Sequence, residues 1–249
     1  MEYRDPFATA QYGAQSKAAA YDMGLRAYML KIYNYMASAL ALTGIVAMFA
    51  ANSPAFVNAL YNVQNGQAVG MSPLGWIVML APIGLVLWLG MGINRMSSST
   101  AQAIFWTYSV LVGLSLTSIF MVYTGKSIAA TFFVTAGTFG AMSIYGYTTK
   151  RDLTGMGSFL MMGLIGLIIA SIVSIFMPSP ALFFATSVIG VLIFVGLTAY
   201  DTQKLKNMYY QVAGNSEAMA KASILGALNL YLDFINIFMY LLRFIGDRK

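Results

Sequence analysis

The chain alternates between long apolar runs and short polar breaks. Seven stretches, 32–51, 73–93, 102–123, 127–147, 158–177, 181–200 and 224–242, carry almost no charge. Each is close to the roughly 20 helical residues needed to cross the hydrocarbon core of a bilayer. One such run could be the buried helix of a soluble protein; seven in succession could not. The pattern predicts an all-α integral membrane protein, a seven-transmembrane helix bundle. Thr124-Gly125-Lys126 links the third and fourth runs and Met177-Pro178-Ser179-Pro180 the fifth and sixth. Glycine and proline punctuate helices, and links this short force antiparallel neighbours. The longer segment 52–72 reads as a plain exterior loop. Segment 201–223 reads as an amphipathic continuation of the sixth span that breaks at Gly214 and restarts with Asn215 or Ser216 as an N-cap. The domain reading is a polar N-terminal segment 1–31, a transmembrane domain 32–245 and a short tail 246–249.

Composition sharpens this picture. Only 9% of the 249 residues are charged and 59% are hydrophobic, where a soluble protein carries about 25% charged residues. The first thirty residues lack the short apolar core of a secretory signal, so the first span is expected to direct insertion itself. There is no cysteine and no histidine. Disulfides, thiolate or imidazole metal sites and Ser-His or Cys-His nucleophiles are therefore excluded, and pH sensing near neutrality falls to carboxylates. The net charge of +6 is no sign of nucleic acid, because its position follows membrane topology. With the N-terminus cytoplasmic, Arg4, Lys17, Arg26, Lys31, Arg95, Lys150, Arg151, Lys204, Lys206 and Lys221 lie inside and only Lys126 lies in an outside loop, as the positive-inside rule requires. Arg243, Arg248 and Lys249 disagree: seven crossings put them outside. The short tail is tolerated there or the last segment does not cross fully, and the sequence leaves both open.

Two acids fall in or against the apolar core, Asp201 where the sixth span ends and Asp233 within the seventh. An ionised aspartate at a helix centre costs about 2.5–3.5 kcal/mol on insertion scales. Asn229, Asp233, Asn236 and Tyr240 share one helical face, which must point into the bundle or a wet cavity. Thr198 stands one turn before Asp201 and Lys204 one turn after it. The bland readings are a solvated, Lys204-paired carboxylate for Asp201 and an interhelical hydrogen-bond clamp for Asp233. The expected span boundaries put the two acids about 13 Å apart in depth, so they meet only if span six dips inward or span seven starts earlier. Gly166, Ala170 and Ser174 in span five, and Ala136 and Gly140 in span four, form small-residue faces expected to pack tightly against neighbouring helices. Thr124-Gly-Lys-Ser127 lacks the first glycine of a phosphate loop and is a turn. Gly155-Met-Gly157 is loop. No lysine in span seven is available for a retinal Schiff base, and no internal repeat is evident.

The stretches YGYTTKRDLTGMGSFLMMGLIGLIIA (145–170), AYDTQKLK (199–206) and LNLYLDFINIFMYLLRFIG (228–246) resemble the Bax inhibitor-1 (transmembrane Bax inhibitor motif) family, in a bacterial form. The resemblance implies a seven-helix bundle with the C-terminal helix central, located in the bacterial inner membrane. It implies a pH-sensitive calcium leak in which Asp201 and Asp233 form a hydrogen-bonded pair acting as pH sensor on the ion pathway, with Arg95 as a gate lock that acid would release. Two close carboxylates share a proton and titrate as a pair, which agrees with that role. Any cation site must use oxygen ligands, suiting a hard cation such as Ca2+. With only Asp201 and Asp233 as acids it is a weak site, and no other cofactor is expected. The partners implied are the lipid bilayer, Ca2+ or another cation and, on a rival reading without transport, a membrane protease or stress factor regulated by binding. An intramembrane aspartyl protease also pairs aspartates on neighbouring helices, but Asp233 follows Leu230-Tyr231-Leu232 rather than Gly-x-Gly, and Pro180-Ala181-Leu182 precedes both acids. The protein is not expected to be an enzyme.

Overall fold

A computed structural model describes residues 6–64 and 67–249, with side chains described at 23–64 and 69–249. Seven helical segments are long and apolar enough to cross a membrane: Met23–Asn52, Pro73–Arg95, Ser98–Val122, Gly125–Thr148, Thr154–Phe176, Pro180–Val212 and Ser216–Ile245. The first belongs to α1 (Pro6–Asn52), which runs without a break through residue 31. Leu25, Tyr28, Met29 and Ile32 on it are buried in the core, so the packed helix extends into the segment expected to be a polar leader. Segment 52–72 is not a plain loop. It folds into α2 (Pro54–Leu60) and an antiparallel hairpin of β1 (Tyr61–Gln64) and β2 (Gln67–Met71), with Tyr61 opposite Met71.

Helix starts follow from side chains that satisfy otherwise free backbone N–H groups. Ser72 accepts from Gly75 at the head of α3 (Pro73–Gly92), and Ser97 accepts from Thr100 at the head of α4 (Ser98–Ser115). Thr124 accepts from Ser127 at the head of α6 (Gly125–Thr148), which makes the Thr-Gly-Lys-Ser stretch a helix cap. The third span is interrupted: α4 stops at Ser115, and α5 (Thr117–Val122) resumes after Leu116. The Ser115 and Thr117 hydroxyls donate to the Val112 and Leu114 carbonyls at 2.8 and 2.7 Å, which supplies local partners for carbonyls at a break inside lipid.

The two longest late helices form the spine. α8 (Pro180–Val212) continues well past residue 200 and ends at Gly214, whose φ of +94° suits glycine. Asn215 then caps α9 (Ser216–Ile245) by accepting from Ala218. α9 packs against α8, α1, α6 and α4, whereas α3 lies on α4 and α7 (Thr154–Phe176) lies on α8. Gly157, Gly163 and Gly196 let α7 and α8 approach, since a methyl at these positions would meet Tyr200, Ile193 and Leu160. The predicted face of α7 is packed only in part: Ala170 and Ser174 are half-buried, but Gly166 is exposed with open space beside it.

α9 crosses completely. Its first turn is held by Glu217, whose carboxylate accepts from the Ser98 N–H and hydroxyl at 2.7 Å each. Its far end delivers the tail to the opposite face. There the Thr124 N–H donates to the Asp247 carbonyl, the Asp247 N–H to Ser127 Oγ, and the Lys249 N–H to the Val122 carbonyl. The basic tail therefore lies against the α5–α6 turn, on the same face as the hairpin.

Candidate functional site

Asp233 sits on the inner face of α9 and is 4% exposed. Its Oδ2 is buried and has no hydrogen-bond partner among the described residues. Asp201 on α8 is only partly buried. Lys204 stands one turn further along, its ammonium 5.9 Å from the centre of the Tyr200 ring. The depth difficulty of the sequence reading eases here. Asp201 lies about 17 Å along α8 from its end at Val212 and Asp233 about 25 Å along α9 from its start, an axial offset of about 9 Å. The helices run antiparallel and each side chain leans toward its own N-terminus, so the shallower Asp201 leans inward and the deeper Asp233 leans back toward it. No hydrogen bond joins the two carboxyls among the described residues.

The backbone around Asp201 is held by α6 and the loop that follows it. The Ala199 carbonyl lies directly over Gly146, where even a methyl would collide. Thr202 Oγ1 reaches Ser143 Oγ at 3.5 Å. Gln203 donates to the Arg151 carbonyl and accepts from the Leu153 N–H, both at 2.8 Å. Lys206 donates to the Tyr147 carbonyl at 2.8 Å and lies 5.0 Å from the centre of that ring. At the end of that loop the Asp152 carboxylate accepts from the Thr154 N–H at 2.9 Å, and hydrogen bonds to Thr154 hold its carboxyl below the usual carboxylate range. Around Asp233, α9 is tied through Tyr231. The Thr43 hydroxyl spends its hydrogen on the Ser109 carbonyl at 2.9 Å, so the 2.8 Å contact to Tyr231 is donated by the tyrosine.

The remaining expected residues serve narrower purposes. Thr198 donates to the Phe194 carbonyl and Asn236 to the Leu232 carbonyl, each within its own helix. Tyr240 stacks on Phe194 with ring centres 6.0 Å apart and fills the space left by Gly190. Asn229 is half-buried. Arg95 is not brought to the aspartates. It is exposed in the single 3-10 turn Ile93–Arg95 and makes no ion pair among the described residues. The physical reason is that α3, which carries it, packs on α4 rather than on α8.

Sequence reading missed a run of hydroxyls. The buried face of α6 consists of Ser127, Thr131, Thr135, Phe139, Ser143 and Gly146, and α8 buries Thr186, Ser187, Thr198 and Thr202. Thr131 Oγ1, like Asp233 Oδ2, is buried without a partner. The spacing of four that joins Ser127, Thr131 and Thr135 was a visible signal. It was overlooked because hydroxyls are common in membrane helices, whereas acids are rare. Together with Asp201 and Asp233 these groups offer oxygen atoms along the α6, α8 and α9 contact. Among the described residues no three acids gather into a metal cluster, so oxygen from hydroxyls or carbonyls would have to complete any cation shell.

Comparison with known proteins identifies the family. A family described as "Inhibitor of apoptosis-promoting Bax1" matches residues 25–249. An uncharacterized protein of Rickettsia prowazekii (strain Madrid E) is 53% identical over 94% of this chain and 95% of its own length. An uncharacterized protein of Caulobacter vibrioides is 52% identical over 92% of this chain and 91% of its own. The inner membrane protein YbhL of Escherichia coli (strain K12) is 50% identical over 91% of this chain and 94% of its own. The seven spans and this kinship place the protein in a bacterial inner membrane. With the match beginning in the buried part of α1 and running to the tail, the chain belongs to the Bax inhibitor-1 family.

Proposed function

We propose that this protein is a proton-regulated leak for cations, with Ca2+ the best match to its donors, and that Asp201 and Asp233 form the sensor on the pathway. One observation carries the reading: Asp233 is buried in the bundle with an unpaired carboxyl oxygen, and a second acid, Asp201, lies about 9 Å from it along the axes of the adjoining helices. A structural clamp would spend that oxygen on a donor. An acid kept without one costs stability, and such costs persist at functional sites.

The chemistry follows from the pair. Two carboxylates near each other in a dry interior cannot both ionise cheaply, so the buried one keeps its proton. Loss of that proton creates charge that draws in water or a cation; its return removes the charge. All-oxygen ligation with two acids favours a hard cation bound weakly, which suits passage better than storage. No catalytic step is proposed.

The test is Ca2+ flux into dye-loaded liposomes holding purified protein, measured across a pH series for the wild type, Asp201→Asn and Asp233→Asn. The wild type should pass Ca2+ with a pH-dependent rate, and both variants should lose that dependence. Flux and pH response unchanged in both variants would remove the sensor. No flux in the wild type would favour a regulator that works by binding.

A further inference from the structure

α1 packs on α4, α5 and α9, and α6 packs on α8 and α9, but α1 and α6 make at most slight contact with one another. The gap between them is a cavity of about 1030 Å³ floored by Phe234, Ile235 and Phe238 of α9. A second cavity of about 460 Å³ continues it past Tyr33, Gly140 and Ser143 to Arg26. The small-residue face of α6, expected to pack tightly, lines this gap instead: Ala136 and Gly140 both border it, and Gly140 has open space where a side chain would be. From Arg26 to Asn52 the groove follows α1 for about 39 Å by the helical rise. That is nearly the full bilayer with its headgroup regions, about 40–45 Å.

We propose that this groove is a binding site for an anionic phospholipid, with an acyl chain lying between α1 and α6 and the headgroup at Arg26. The lining is apolar over most of its length, which excludes a water-filled role. A basic residue lines one end: Arg26 is exposed, borders the cavity and has no ion-pair partner among the described residues. Lys206 lies over Tyr147 of the same cavity, and Lys150 and Arg151 follow directly after α6. At the other end, near Met48 and Asn52, no charged residue lines the cavity, and the nearby Lys249 ammonium is engaged by the Phe120 carbonyl at 2.7 Å. A basic mouth on an apolar slot between membrane helices selects negative headgroups in one leaflet.

The site can be tested by native mass spectrometry of delipidated protein in detergent, titrated separately with phosphatidylglycerol and phosphatidylcholine. A one-to-one phosphatidylglycerol adduct should form at lower lipid concentration than the phosphatidylcholine adduct. Arg26→Gln should reduce that preference about fivefold, the effect of one interfacial cation. Gly140→Leu and Gly44→Leu fill the groove from opposite walls at positions with open space, so both should fold and both should lose the adduct. Gly166→Leu on the outer face of α7 should retain it. Equal binding of the two lipids by the wild type, or adducts undiminished in the two groove-filling variants, would overturn the proposal. So would a protein dimer that disappears in Gly140→Leu while lipid binding does not change.

Discussion

Replacing Asp233 by valine separates an acid kept for function from an acid kept for structure. Valine is close in size and has no polar atom. The native Oδ2 is buried without a partner, and a buried unsatisfied acceptor costs about 1–3 kcal/mol. Removing it returns that amount. Valine and aspartate have similar helix propensities, so the net expectation is a gain of about 1–3 kcal/mol. For a chain of this size each kcal/mol moves the unfolding midpoint by about 2–4 °C, so Asp233→Val should melt a few degrees above the wild type in the same detergent. It should also lose the pH dependence of Ca2+ flux. Intrinsic fluorescence during a thermal ramp, repeated at about pH 5 and about pH 8, reads the first effect; the midpoint of the variant should respond less to pH than that of the wild type. A drop of about 3–5 kcal/mol, the cost of breaking a buried pair by removing one partner, would refute the reasoning. Asp233 would then be the clamp between helices that its unpaired oxygen argues against.

Three further expectations follow from the geometry. Gly146→Ala drives a methyl into the Ala199 carbonyl, so α6 and α8 must separate beside Asp201; overpacking of this kind costs about 1–3 kcal/mol, and a melting temperature equal to wild type would show the contact is looser than drawn. Asp152 lies outside the membrane-spanning segments, and hydrogen bonds to Thr154 lower its pKa. Its contribution is present above the ordinary carboxylate value of about 3.9 and fades as the pH falls through the lowered one. Asp152→Ala should speed amide exchange in the first turn of α7 at neutral pH, and unchanged exchange would count against the cap. Arg95 is exposed and unpaired among the described residues, so Arg95→Gln should leave the pH profile of flux as it is; a shifted profile would mean that this arginine reaches the acids in another state.

Much of this protein was legible in its sequence because the bilayer imposes a one-dimensional rule. Backbone groups in hydrocarbon must bond within their own helix, so length and apolarity alone located seven spans, and Gly214 with Asn215 marked the turn before the last. The two acids stood out for the same reason: charge in such runs is costly and rare. What the sequence could not rank was which face of each helix meets which neighbour. Every face of a membrane helix is apolar, and lipid competes equally for it, so packing is settled by the fit of small and large side chains across helices. That is why Gly157, Gly163 and Gly196 became the α7–α8 contact while Gly166 was left exposed. It is also why Ala136 and Gly140 opened onto a groove. Composition chose the solvent and the chemistry; only the tertiary structure buried Asp233 without a donor, kept Arg95 exposed and left a gap between α1 and α6.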